Sequence, residues 1–312
     1  MMWDMTTASP TTTTATPATA ASSLSPLLIA CLAATWLVWG STYFAIKLAL
    51  VSFAPFLQMG TRFLAAGALL AAWMRWRGVP WPNRLQWRNA AIIGSLMLGG
   101  GMGGTAVAET TVGSGLVVAF IAVVPLMIAA LNLFWGVKPG RLESAGIFVG
   151  MLGVLLLTQG AGFQASPAGL AAQAIACATW SLGSVLSQRN LPLAPGAMGF
   201  ASEMLCGGVT LMLLSLAAGE TMAWPPQPLA TAAWFYLVVF GSLIAFNAYM
   251  VLLARASAGL ASSYSFVNPV IALLLGTAVG GEVVSSGEWA AAGVVLSGVV
   301  LLLAGRSRAT AK

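Results

Sequence analysis

The sequence contains no histidine and few charged residues of either sign. Its 312 residues include 13 Lys and Arg and 7 Asp and Glu, so that only 6% of the chain is charged. The absence of histidine removes the commonest general base and metal ligand. The three cysteines, Cys31, Cys177 and Cys206, each lie inside an apolar run and lack the paired spacing of a metal or redox site. We therefore expect small core residues at these positions, no metal site and no cofactor.

Few side chains remain for enzyme chemistry. A membrane-embedded enzyme needs a nucleophile with a base or a cluster of metal ligands, and the only aspartate is Asp4 near the N-terminus. The chain also has no GxxxxGK[ST] motif, so ATP could drive it only through another subunit. We expect that the protein is not an enzyme.

Apolar residues, in contrast, are abundant. They make up 59% of the chain, and the mean hydropathy is +0.92, values that water-soluble domains do not reach. A membrane-spanning helix needs about 20 mostly apolar residues. Ten such runs follow the first 27 residues: 28–50, 55–75, 89–108, 113–135, 143–160, 168–188, 196–218, 230–253, 258–280 and 286–305. We predict an all-α integral membrane protein with ten transmembrane helices.

The first 26 residues have a different composition. They are dominated by Thr, Ala, Ser and Pro, and Asp4 is their only charged residue. Such a segment cannot bury a core, so residues 1–26 are predicted to be a disordered tail. The segment lacks the basic start of a secretory signal, so we do not expect cleavage, and a later translation start remains open.

The basic residues predict the orientation in the membrane. Eleven of the 13 lie after the second, fourth, sixth and eighth helices or in the tail 306–312, and the outside loops hold none. By the positive-inside rule both termini are then cytoplasmic, in a bacterial-type inner membrane. The net charge of +6 is explained by this topology, so it gives no support to nucleic-acid binding.

An internal repeat relates the two halves of the chain. Gly115, Leu116, Phe120, Val123 and Pro125 recur 144 positions later as Gly259, Leu260, Tyr264, Val267 and Pro269. In addition, LAAG at 64–67 matches LCGG at 205–208, at an offset of 141. Five helices per half is an odd number, so the second copy enters the membrane from the opposite side. We predict two inverted repeats, 28–160 and 168–305, an arrangement typical of secondary transporters with a midplane substrate site.

Several segments carry a family resemblance. They are WGSTYFAIKLAL at 39–50, TRFLAAGALL at 61–70, VGSGL at 112–116 before Pro125, and SYSFVNPVIALLLGTAVGGE at 263–282. Together they resemble the EamA-type transporters of the drug/metabolite transporter superfamily, particularly the YedA-like branch. The resemblance covers residues 28–305. It implies ten helices around a central cavity, with the fifth and tenth helices peripheral, and the transport of small metabolites, usually outward.

Two basic residues lie inside apolar runs, where a charge is costly. Lys47 lies near the outer end of the first helix, where it is either a snorkelling lysine or a gate residue with Glu109 as its partner. Arg62 lies deeper, so we expect its guanidinium to face the cavity and bind a carboxylate. A contact that locks the second helix to its neighbours is the alternative for Arg62.

The repeat puts Glu203 at the position equivalent to Arg62. In inverted halves Glu203 then lies towards the inner side and Arg62 towards the outer side. A buried carboxyl group that holds and releases a proton would permit coupling to the proton gradient, and a structural hydrogen-bonded glutamate is the alternative.

The remaining candidates are aromatic and amide side chains in helix interiors. For substrate binding these are Trp39, Tyr43, Trp180, Asn247, Tyr264 and Asn268, of which the aromatic residues could equally be packing. Buried amides need hydrogen-bond partners. Proline removes a backbone hydrogen bond, so Pro125 and Pro269 are predicted helix breaks.

The leading hypothesis is a secondary transporter that exports small organic metabolites, such as amino acids or related carboxylate compounds, by alternating access. Efflux of drug-like cations on the same fold is an alternative, and a structural or signalling membrane protein without flux is a third hypothesis. The expected partners are a small-molecule substrate and the lipid bilayer, with proton coupling and a homodimer left open.

Overall fold

The computed structural model describes residues 25–112, 114–158, 166–280 and 285–309. Residues 1–24 of the expected disordered tail, residues 310–312 of the basic tail and Gly113 of the VGSGL motif lie outside this part. The described residues are almost entirely helical. An isolated antiparallel bridge links Phe53 and Met222.

Twelve helices are described. They are α1 Pro26–Ala49, α2 Pro55–Trp76, α3 Arg84–Ala108, α4 Ser114–Ile121, α5 Val124–Leu133, α6 Arg141–Thr158, α7 Pro167–Arg189, α8 Ala197–Ala217, α9 Pro228–Arg255, α10 Ala258–Ala261, α11 Tyr264–Gly280 and α12 Ser286–Ala309. Several begin with a residue that favours a helix start: Pro is at or next to the first position of α1, α2, α7 and α9.

Five helices, α1, α3, α7, α8 and α9, are long and apolar enough to cross a membrane by length and composition. Large apolar side chains on these helices are exposed, which fits a lipid surrounding. Leu37, Ile175, Leu213 and Phe235, for example, are each more than half exposed. The described part of the chain is therefore an all-α protein of the membrane type.

Two of the predicted runs are interrupted. The run 113–135 divides into α4 and α5, and Pro125 lies at the start of α5. The run 258–280 divides into α10 and α11 at Ser262 and Ser263, whereas Pro269 lies inside α11, which continues through it. The interruption in the second half is thus not at the proline but before it.

Three helices contain widened π-helical turns, which are frequent at functional sites. The turns occupy 34–38 in α1, 95–102 in α3 and 237–246 in α9. In α3 they coincide with the glycine-rich sequence. A Cβ atom at Gly100 would lie 2.6 Å from Thr179 Oγ1, and one at Gly103 would lie 2.7 Å from Leu211 Cδ2. Glycine therefore lets α3 approach both α7 and α8.

Helices α2 and α8 pack closely and antiparallel. A Cβ atom at Gly67 would lie 3.0 Å from the backbone nitrogen of Leu205. In the same way, a Cβ atom at Gly208 would lie 3.0 Å from the backbone nitrogen of Leu64. The loop that follows α8 also holds α2, because the Glu220 carboxylate accepts hydrogen bonds from Phe56 N (3.1 Å) and Leu57 N (2.8 Å). Since the first turn of a helix has free N–H groups, this contact caps α2.

Helices α6 and α12 form a second antiparallel pair. A Cβ atom at Gly153 would lie 2.6 Å from Val295 N, and one at Gly298 would lie 2.5 Å from Gly150 N. Small residues thus bring the two backbones into direct contact, as at other helix crossings in membranes.

Candidate functional site

A chamber lies between α1, α3, α4, α5, α7 and α11. The space in it that the centre of a water molecule can reach is about 40 Å³, so the chamber is narrow. Its walls are formed by Trp39, Thr42, Tyr43, Gly101, Met102, Thr105, Ile121, Val124, Gln173, Ala176, Cys177, Trp180 and Tyr264. The lining is mainly apolar and aromatic, with a few hydroxyl groups and one amide.

Four aromatic rings from four helices contact one another beside the chamber. Trp39 lies 5.7 Å from Trp180, 5.2 Å from Tyr249 and 4.8 Å from Tyr264, measured between ring centroids. Tyr249 lies 5.2 Å from Trp180 and 5.4 Å from Tyr264. Several pairs meet edge to face, an arrangement that aromatic rings favour. We call these four residues the aromatic layer.

Hydrogen bonds fix the rings of the aromatic layer. The Trp180 indole nitrogen donates to the Tyr249 hydroxyl at 3.2 Å, and that hydroxyl is also 2.9 Å from Ser184 Oγ. The Trp39 indole nitrogen donates to the Gly241 carbonyl oxygen at 3.2 Å. Because the polar atoms of Trp39, Trp180 and Tyr249 have partners, these three rings are held in one orientation.

The two amide candidates stabilise the helices behind the chamber. In the orientation that suits its neighbours, the Asn268 amide nitrogen donates to the carbonyl oxygens of Tyr264 (3.1 Å) and Trp36 (3.2 Å). Asn268 also shares a side-chain hydrogen bond with Tyr43. The Asn247 amide nitrogen donates to carbonyl oxygens of the π-helical turn, at 2.8 Å to Leu243 and 3.3 Å to Ser242. Neither amide is among the lining residues of the chamber.

Arg62 is fully buried at the contact between α2 and α9. Its Nε donates to Ser242 Oγ at 2.7 Å, and its guanidinium carbon lies 4.8 Å from the centre of the Phe63 ring. The glycine at position 241 leaves room for the guanidinium in this position, since a Cβ atom there would lie 2.7 Å from Nη2. Within the described residues no carboxylate is hydrogen-bonded to Arg62, and it does not line the chamber. The basic side chain therefore binds the π-helical turn of α9.

Glu109 and Lys47 lie near each other at the end of α3. Glu109 is 5% exposed, whereas Lys47 is exposed. The two residues interact electrostatically, although neither carboxylate oxygen of Glu109 accepts a hydrogen bond in the described structure. Glu109 also lies within electrostatic range of Tyr43, a lining residue of the chamber.

Glu203 lies on α8 and is fully buried. Neither of its carboxylate oxygens has a hydrogen-bond partner in the described part of the chain. It is within electrostatic range of the Tyr249 hydroxyl, so it lies on the α9 side of the aromatic layer. An unpaired buried carboxyl group lowers the stability of the fold, so packing alone does not explain a glutamate at this position.

A larger cleft, in which the centre of a water molecule can reach about 520 Å³, lies at the C-terminal end of α7. Polar contacts cross it: Gln188 Nε2 donates to the Leu253 carbonyl at 2.8 Å, and Arg189 Nη2 donates to Asn132 Oδ1 at 3.2 Å. Along α7, Trp180 and Ser184 lie between the chamber and this cleft. The aromatic layer therefore separates the two spaces.

The structure brings together four of the substrate-site candidates, Trp39, Tyr43, Trp180 and Tyr264, which line one chamber. It puts Arg62, Asn247 and Asn268 at helix contacts instead. Sequence reasoning missed Tyr249 and Gln173. A signal for Tyr249 existed, because it is one of only four tyrosines in the chain and two of the others were already candidates.

No group of three or more metal-ligating side chains is found among the described residues.

Comparison with known proteins identifies relatives over most of the chain. The model of the EamA-like transporter family matches residues 27–159 and again residues 167–304. The protein named "Uncharacterized inner membrane transporter YedA" of Escherichia coli (strain K12) is 42% identical over 280 residues, which are 89% of this chain and 91% of that protein. "Protein PecM" of Dickeya dadantii is 27% identical over 246 residues, 77% of this chain and 80% of that protein. The family description and the name of the Escherichia coli relative indicate a transporter rather than an enzyme.

A solved crystal structure resembles the described fold with a TM-score of 0.73 at 21% sequence identity. The match covers 89% of this chain and 96% of the solved chain. At this identity the likeness concerns the fold alone.

Proposed function

The chain belongs to the EamA-like transporter family, and from this premise we propose that it exports small organic metabolites, amino acids or related carboxylate compounds, by alternating access. It is a multi-pass inner membrane transporter of the drug/metabolite type. The observation that carries the proposal is the chamber, whose lining comes from α1, α3, α4 and α5 before residue 160 and from α7 and α11 after it. A site between two halves is where a rocking carrier holds its substrate.

The proposal includes ten spans in two inverted repeats, 28–160 and 168–305, with both termini cytoplasmic. The twofold match to the family model supports the repeat. The packing of α2 on α8 supports the inversion: Leu64 and Leu205, like Gly67 and Gly208, are 141 positions apart, and each leucine meets the other half's glycine. Such reciprocal contacts between antiparallel helices are expected on a two-fold axis in the membrane plane.

The pair α6 and α12 repeats this relationship. Gly150 and Val295 are 145 positions apart, as are Gly153 and Gly298. The close approaches are between Gly153 and Val295 and between Gly150 and Gly298, so the contacts are again reciprocal. Two separate crossings with the same reciprocity support one axis through the whole molecule. We propose that these crossings stay fixed while the surrounding helices rock.

Within this carrier, the aromatic layer and Tyr43 hold the apolar part of the substrate. We propose that Arg62 exchanges Ser242 for the substrate carboxylate when α9 moves, because its guanidinium retains unused donors. Lys47 and Glu109 lie near the end of the chamber where an outer gate is expected. Glu203 is proposed to carry a coupling proton.

One observation favours cation efflux as a second candidate function. The chamber lining includes no basic side chain, while Gln173 Oε1 and both carboxylate oxygens of the nearby Glu109 lack hydrogen-bond donors in the described structure. Unpaired acceptors beside aromatic faces suit an ammonium group.

The test has two stages. Metabolites released by cells that make the protein are compared with those released by cells that lack it, and the enriched compounds are offered to purified protein in liposomes. Saturable flux of an amino acid or carboxylate supports the proposal, and flux of cations alone supports the second candidate. Absence of flux for every enriched compound would favour a membrane protein without transport.

A further inference from the structure

The turn between α2 and α3 is aromatic and basic. Residues 73–88 contain four tryptophans and four arginines and no acidic residue. They are Trp73, Trp76, Trp81 and Trp87, and Arg75, Arg77, Arg84 and Arg88. The proposed transport function uses none of them.

The backbone of this turn is well defined. Gly78 adopts a positive φ of 79°, and the hydrogen bonds Gly78 N to Arg75 O and Val79 N to Met74 O, both 3.0 Å, close α2 with a Schellman motif. A capping box between Asn83 and Gln86 opens α3, with two hydrogen bonds of 2.9 Å. The side chains of the turn are therefore displayed from a fixed framework.

All four arginines are exposed; Arg75 bonds within the turn, and Arg88 donates one long hydrogen bond, of 3.5 Å, to Asn89 Oδ1. Arg75 donates to the Val79 carbonyl at 2.7 Å, and its guanidinium lies 5.6 Å from the centre of the Trp81 ring, so it stabilises the turn. Arg84 and Arg88 are four residues apart and thus lie on the same face of α3.

The position of Arg84 is unfavourable for the helix itself. It is the first residue of α3, and the first turn contains no acidic residue. A cation there opposes the helix dipole, which favours negative charge at this end. An anion bound from outside the protein would remove this disadvantage.

The tryptophans indicate where such an anion is found. Trp73, Trp76 and Trp81 are 50%, 76% and 52% exposed. Tryptophan favours the membrane–water interface, at the level of the lipid headgroups. The guanidinium group, in turn, binds phosphate through two parallel hydrogen bonds. The turn thus combines interface anchors with phosphate ligands.

We propose that this turn binds the headgroup of an anionic phospholipid from the leaflet on its side of the membrane. Arg77, Arg84 and Arg88 contact the phosphate, and the exposed tryptophans lie at the boundary between headgroups and acyl chains. The proposal is independent of the substrate and of the transport mechanism.

The full chain, purified in detergent, is titrated with phosphatidylglycerol, and the thermal unfolding midpoint reports binding. Phosphatidylglycerol is expected to raise the midpoint, and phosphatidylcholine is not. In Arg77→Gln/Arg84→Gln/Arg88→Gln the apparent affinity falls about tenfold or more, since each basic residue near an anionic surface contributes substantially. The matched control Lys138→Gln/Arg141→Gln, in the turn between α5 and α6, keeps the wild-type affinity.

If the triple variant does not insert, the single substitutions Arg77→Gln, Arg84→Gln and Arg88→Gln are measured instead. Each leaves three basic residues in the turn and is expected to weaken binding about fivefold. Equal responses to the two lipids, or wild-type affinity in all these arginine variants, would overturn the proposal. A midpoint shift reproduced by glycerol phosphate would also overturn it, because the ligand would then be a soluble phosphate.

Discussion

Trp39 and Trp180 meet edge to face with their ring centroids 5.7 Å apart, across the contact between α1 and α7. The two residues lie in different halves of the chain, and both line the chamber. Together with Tyr249 and Tyr264 they separate the chamber from the cleft at the other end of α7. A substrate that crosses the membrane through the chamber must therefore displace this layer.

The Tyr249 hydroxyl is the polar centre of the layer. In Tyr249→Phe the Trp180 indole nitrogen loses its hydrogen-bond acceptor in a buried position. We expect the free energy of unfolding to fall by about 1–3 kcal/mol, measured as a lower thermal midpoint in detergent. Thr231→Val removes an exposed hydroxyl and should change the stability by less than about 0.5 kcal/mol. An equal loss in both variants would contradict the role given to Tyr249.

Arg62→Gln separates stability from function. Arg62 is fully buried, and no carboxylate among the described residues is bonded to it, so removing its charge should raise the free energy of unfolding by about 1–4 kcal/mol. Because Arg62 is the group proposed to bind the substrate carboxylate, transport of carboxylate substrates should fall at least tenfold. Thermal midpoints and liposome flux measure the two effects. A less stable variant with normal flux would assign Arg62 to the locking of α2 on α9 instead.

Glu203→Gln tests proton coupling. The substitution keeps the shape of a side chain whose carboxylate oxygens have no hydrogen-bond partner in the described structure. Transport into liposomes is expected to lose its response to an imposed pH gradient, with no loss of thermal stability.

Glu220→Gln is the matched control for this experiment. Glu220 caps α2 through Phe56 and Leu57, so its substitution should cost about 1 kcal/mol of stability and leave the pH response intact. An unchanged pH response in Glu203→Gln removes that residue from coupling.

The proposed two-fold relationship predicts matched effects at equivalent glycines. A methyl group at Gly67 or Gly208 would lie 3.0 Å from a backbone nitrogen of the facing helix. Gly67→Ala and Gly208→Ala should therefore each lower the free energy of unfolding by a similar amount, about 1–3 kcal/mol. Gly293→Ala, with nothing within 4 Å, should be neutral or stabilising by up to about 1 kcal/mol. A neutral effect at only one of the two equivalent glycines would argue against the reciprocal crossing.

Much of the fold was predictable because lipid imposes a simple rule on sequence. Long apolar runs must be helices, so the segments around Lys47, Arg62 and Glu203 were assigned correctly to helices α1, α2 and α8. The interruptions were less predictable. Pro269 predicted a break, but α11 continues through it, and the break lies at Ser262 and Ser263 instead. A helix can continue through a proline because neighbouring groups satisfy the carbonyl that the proline frees.

The site was predictable only in part. Aromatic residues in apolar helices indicated Trp39, Trp180 and Tyr264, which line the chamber. The direction of a side chain depends on the π-helical turns, which rotate the residues after them and leave no clear sequence signature. For this reason the contact of Arg62 with Ser242, far away in the sequence, was not foreseen.

In an alternating-access carrier of this kind, the chamber between the two halves opens in turn to each side of the membrane. Cys177 lines the chamber, and Cys31→Ala/Cys206→Ala leaves it as the only cysteine. A membrane-impermeant maleimide is applied to either face of oriented vesicles. The unreactive control is Leu213→Cys on a cysteine-free background. Leu213 is 61% exposed on α8 and is expected to face lipid. Cys177 is expected to react from both faces, and reaction from one face only under every condition would contradict alternating access.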